Sequence, residues 1–125
     1  MKKVLLVLLL ITLTSCQDNE TLSQDQAAQD LQDIFTEIES MVNTISCDNS
    51  EDWTFIGYGS KACGGFVGYI AYPAFIDTQL FIELIEAHIQ AQEDFNQKWQ
   101  IVGTCDWEVP PTDVLCDDGV PKFVY

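Results

Sequence analysis

The chain is 125 residues long and sets 20 Asp and Glu against five Lys, with a single His and no Arg. That size fits one compact domain, and the net charge of −15 disfavours duplex DNA or an anionic membrane surface as a partner, since phosphates are met by Lys and Arg. With 47% hydrophobic and 11% aromatic residues, it is also too apolar for an acidic disordered tail.

Met1-Lys2-Lys3 is a short basic start, and Val4 to Leu13 is an apolar run broken only by Thr12. The run has the length of a signal-peptide core and falls short of the roughly 20 residues that span a bilayer. Leu13-Thr14-Ser15-Cys16 resembles the lipobox of bacterial lipoproteins, an aliphatic residue three before a cysteine with small residues between. The resemblance implies cleavage before Cys16 and acylation of its thiol and amine, with palmitate among the chains, so Cys16 is the expected lipidation site. Several acyl chains at about 0.8 kcal/mol per buried methylene make a lasting anchor. After cleavage, three Lys face twenty acids, a charge of −17.

Gln17-Asp18-Asn19-Glu20 resembles the sorting and surface-export signals of some Gram-negative lipoproteins. It implies an outer-membrane location, with the cell surface as a further expectation. The organisation read from the sequence is a signal peptide over 1–15, a lipid anchor and short acidic spacer over 16–22, and a single α+β domain over 23–125. A spacer of five or six residues reaches roughly 20 Å at most, so the domain is expected to stay near the membrane.

Cys47, Cys63, Cys105 and Cys116 remain, an even number in a chain read as exported. Two disulfides are expected. Of the three connectivities, the sequence-local pairs Cys47–Cys63 and Cys105–Cys116 are preferred, because each closes a short loop. A four-cysteine zinc site is disfavoured by gaps of 15, 41 and 10 residues, which contain no C-x2-C pair. No metal or other cofactor is expected.

Ala27, Ala28, Leu31, Ile34, Phe35, Ile38, Met41, Val42 and Ile45 recur at three- and four-residue steps among Asp, Glu and Gln. They predict an amphipathic helix from near Ser23, whose pairing with Gln26 reads as a capping box, to about Ser46. Trp53 to Tyr58 and Phe66 to Tyr72 read as short strands around the glycine-rich loop Gly59-Ser-Lys-Ala-Cys-Gly-Gly65, where the glycines suit positive φ or close approach. Asp77 is a plausible N-cap for a second long helix ending near Gln100, with Glu83, Glu86, Gln90, Glu93, Asp94 and Gln97 on its polar face. Beyond it, Asp117-Asp118-Gly119 lies between two apolar runs and signals a hairpin. The predicted fold is α+β: two long amphipathic helices packed on a small, disulfide-braced antiparallel sheet.

His88 falls mid-way along the apolar face of the second helix, which reads as a packed, hydrogen-bonded core imidazole rather than a catalytic base. The acidic run Asp48 to Asp52 fails as a calcium loop, with Trp53 where such a loop needs Gly and Gly59 where it needs Glu. Gly57-x-Gly59-x-x-Ala62 lacks the following helix of a dinucleotide fingerprint.

The stretch around 53–72 is the preferred binding surface, with Trp53, Tyr58, Lys61, Tyr69 and Tyr72 as its candidate residues. The expected function is a non-enzymatic binding module on a lipid-anchored envelope lipoprotein. Its partners are the membrane, through the N-terminal lipid, and an unidentified protein or small ligand, with no nucleic acid and no catalytic residue assigned. A substrate-like protease inhibitor presenting Lys61 beside a disulfide is one alternative. A structural envelope protein without ligand is a second, and a small hydrolase the least favoured. The whole pattern, from the helix ending in cysteine through W…GSKACGG…YIAYP to the terminal C…PP…C region, resembles small uncharacterised lipoproteins secreted by Gram-negative bacteria, a resemblance that brings no activity with it.

Overall fold

The computed structural model describes residues 22–125; the expected signal peptide, the lipobox-like stretch and Cys16 lie outside the described residues. Helix α1 is Gln24–Ser40, strands β1 and β2 are Trp53–Tyr58 and Gly68–Pro73, helix α2 is Thr78–Lys98, and strands β3 and β4 are Asp113–Asp117 and Val120–Val124. Two helices with small antiparallel sheets and two disulfides make the fold α+β.

Both helix starts follow from local chemistry. Ser23 Oγ accepts the backbone N–H of Gln26 at 3.2 Å, while the Gln26 side chain donates forward to Asp30, so only half of the capping box forms. Asp77 caps α2 by accepting from the N–H of Leu80 at 3.1 Å. Helix α1 stops at Ser40, short of the predicted end, although the chain keeps turning through bonds to the third carbonyl back, Val42 to Glu39 and Ile45 to Val42. These tighter turns still deliver Val42 to the core. At its other end, α2 closes with the Ile101 N–H on the Asn96 carbonyl at 2.9 Å and the Gln100 N–H on that of Gln97 at 3.4 Å, a Schellman arrangement with Gln100 at φ 49°.

The sheet expectation requires correction. Two separate two-stranded sheets form in place of one, β1 with β2 and β3 with β4. In the first hairpin Ile56 faces Ile70 and Phe55 faces Ala71, so strand alternation sends the two sets of side chains to opposite faces. Ile56, Tyr58, Ile70 and Tyr72 pack on the core of Ile38, Val42, Phe81 and Ile85 contributed by the helices. Phe55 and Ala71 pack instead with Trp53, Cys47 and Val114, beside Phe123 of β4. The first hairpin therefore lies between the helices and the second hairpin. The β3–β4 turn uses Asp118 and Gly119 at φ 51° and 76°, the paired positive values of a type I′ hairpin turn.

The predicted disulfide pairing is also corrected: the bonds are Cys47–Cys116 and Cys63–Cys105, with Cα separations of 5.2 and 5.3 Å. Cys47 is drawn to the second hairpin because its N–H donates to the Gly119 carbonyl at 2.9 Å, and Ser50 Oγ accepts the N–H of Cys116 at 2.9 Å. Cys47 and Cys116 are thus aligned by one backbone bond and one to a serine hydroxyl, and sequence proximity does not decide the outcome. Each bond closes a loop of several tens of residues, for which the chain-entropy account gives about 4 kcal/mol.

Candidate groove at the tip of the first hairpin

Strand alternation scatters the five residues expected to form one surface. Trp53 is buried, 6% exposed, against Cys47 and Val114. Tyr58 and Tyr72 turn to the helices, with ring centroids 4.5 Å from Phe35 and 4.7 Å from Phe81. Burial, followed by the negative charges of Glu39 and Glu108, raises the Tyr58 phenol above its ordinary value, so it stays protonated. Of the five, Lys61 and Tyr69 line one hollow, while Tyr69 and Trp53 border a second one beside the other hairpin.

The first hollow, of about 300 Å³, is bounded by the loop between β1 and β2 and by the irregular segment that follows α2. Its lining includes Lys61, Phe66, Tyr69, Trp107, Glu108 and Pro110. Phe66 meets Tyr69 edge-on at 5.9 Å, and Tyr69 in turn meets Phe55 at 6.0 Å, which ties the groove wall to the interior. Trp107 is 80% exposed and Phe66 41%.

The loop is held from three sides. A turn closes it, with the Gly64 N–H on the Lys61 carbonyl at 2.9 Å and the Lys61 N–H on that of Gly65 at 3.0 Å. Gly59, Gly64 and Gly65 all take the positive φ expected of them. From α2, Gln92 Oε1 accepts the N–H of Ser60 and Asn96 Nδ2 donates to the Ser60 carbonyl, both at 2.8 Å. The Cys63–Cys105 disulfide then fastens the loop to the segment carrying Trp107. Lys61 does not project from it: its Nζ donates to the Asp106 carbonyl at 2.9 Å and to Glu108 Oε1 at 3.3 Å, leaving the side chain 20% exposed.

Trp107, Asp106, Glu108 and Pro110 were absent from the sequence-derived site. The segment has no period to read, and the signal available was a tryptophan in a proline-containing acidic stretch close to a cysteine.

His88 is packed as expected, 7% exposed between the rings of Phe35 at 5.4 Å and Tyr58 at 6.3 Å. The expected hydrogen bond is missing at Nδ1, which is buried without a partner among the described residues. Burial lowers its pKa from the usual 6.5, so the imidazole is neutral. Among the described residues no three His, Cys, Asp or Glu side chains gather in a metal-holding group, and no helix is long and apolar enough to cross a membrane.

No protein-family model matches this chain, and neither a curated protein nor a solved structure matches it significantly.

Proposed function

We propose that the chain is an envelope lipoprotein, anchored in the outer membrane through Cys16, whose exported domain is a non-enzymatic binding module that engages a protein segment in the Phe66–Tyr69–Trp107 groove. The observation that carries the binding role is a tryptophan left 80% exposed on a segment tied to the neighbouring loop by the Cys63–Cys105 disulfide and by the Lys61 bond to the Asp106 carbonyl. A large exposed aromatic side chain on a braced loop offers contact area at little ordering cost. Two disulfides support an oxidising compartment, and the basic start, short apolar run and Leu13-Thr14-Ser15-Cys16 support the lipid anchor. In this reading the two long amphipathic helices back a disulfide-braced β structure and act as the rigid frame behind the groove.

Site-directed photocrosslinking in cells tests the reading. A photoreactive phenylalanine analogue replacing Trp107 in the full chain is expected to give a discrete protein adduct, lost when Cys63 and Cys105 are both changed to Ser. The same analogue replacing Leu115, exposed on the second hairpin at 52%, serves as control. Equal adducts at both positions, or none at 107, contradict the binding role of the groove.

A further inference from the structure

We infer that the groove recognises an arginine side chain in a basic segment of the partner polypeptide. This rests on the groove being a binding surface, and adds the chemistry of what it binds.

The first argument is local charge. Among the described residues Lys61 is the one cation lining the groove, and it is already engaged by the Asp106 carbonyl and the Glu108 carboxylate. Asp106 binds Lys61 through its backbone, so its carboxylate is not consumed by that contact, and it has no ion pair among the described residues. One ammonium against two carboxylates leaves the groove with one net negative charge. The field of the whole chain has the same sign, with twenty acids and five Lys. An approaching cation is attracted at long range and an anion repelled.

The second argument is the shape and nature of the walls. Phe66, Tyr69 and Trp107 present aromatic surfaces, whose faces carry negative potential and attract cations, tryptophan most strongly. Guanidinium is flat, weakly hydrated and able to stack on such a face while its edge donates to a carboxylate. An ammonium matches the charge but has no flat face to stack. Pro110 adds an apolar wall suited to the methylene stem of the side chain.

The third is preorganisation. The contacts of Gln92 and Asn96 to Ser60 and the Cys63–Cys105 bond fix both sides of the groove before anything enters it.

The test uses the full chain in neutral detergent micelles and three capped pentapeptides, Ala-Pro-Xaa-Pro-Ala with arginine, citrulline or glutamate at the centre. Citrulline keeps the shape of arginine and removes its charge. Binding is followed through the indole N–H signals of the three tryptophans. The arginine peptide is expected to shift the Trp107 signal with a Kd about tenfold below that of citrulline, with no shift from the glutamate peptide. Added salt should narrow the gap. Trp107→Ala, which removes the reporting signal and is therefore followed by titration calorimetry, should abolish binding, and Asp106→Asn, which keeps the backbone contact to Lys61, should lose most of the arginine preference. Equal affinity for arginine and citrulline overturns the inference and leaves the groove as an apolar docking surface. Absence of any binding also overturns it, while the crosslinking experiment decides separately whether the groove binds a partner.

Discussion

The ring of Phe66 occupies the space where Gly57 would carry a side chain: a Cβ built there lies 2.3 Å from the ring. Strand β1 thus gives up a side chain so that the groove wall can fold down onto it. Gly57→Ala is expected to push the ring out and destabilise the fold by about 1–3 kcal/mol, the usual range for overpacking. Thermal unfolding of the double-mutant cycle with Phe66→Ala checks the cause, since the cost of Gly57→Ala should shrink once the ring is gone.

His88 makes stability depend on pH in a defined direction. Its folded pKa lies below 6.5, so below pH 6.5 the unfolded chain binds a proton that the folded chain resists. The contribution is present in full above pH 6.5 and is lost as pH falls toward the folded value. Urea unfolding across this range should show the slope in the native chain and a flatter one in His88→Leu, where no imidazole titrates.

The two disulfides differ in access. Cys63 and Cys105 are exposed, whereas Cys47 is 2% exposed inside the second core cluster. Mild reductant followed by alkylation should label Cys63 and Cys105 first. Far-UV circular dichroism should change little at that stage, because the bond joins two irregular segments. Labelling of Cys47 and Cys116 should require conditions that unfold the chain.

Gln100 sits at φ 49°, in the left-handed conformation where a Cβ costs about 1 kcal/mol. Gln100→Gly should therefore stabilise the domain by somewhat less than that, about 0.5–1 kcal/mol, read as a rise in Tm. A fall in Tm would mean that the Gln100 side chain makes a contact of greater worth.

What the sequence disclosed was local. Ser23, Asp77 and Asp118-Gly119 act within three or four residues of themselves, and caps and turns form where their chemistry says. The apolar period through Ile45 was informative about burial and misleading about helix type, since Val42 is buried from a tighter turn. The cysteine pairing was not legible from spacing, because the Cys47–Cys116 bond depends on the segment before β1 meeting the turn of the second hairpin, where Cys47 bridges to Gly119. The binding surface was half legible. Glycines and aromatics marked the 59–69 side, but which aromatics face outward depends on strand parity, and the Trp107 side arrives only through Cys105.

The central claim joins a compartment, a tether and a pair of staples, and mass mapping of the full chain extracted from cell membranes under non-reducing conditions tests them together. The account predicts an N-terminal peptide beginning at an acylated Cys16, one linked peptide joining Cys47 to Cys116 and another joining Cys63 to Cys105. An intact Met1 terminus with unmodified Cys16 and four free thiols would contradict it.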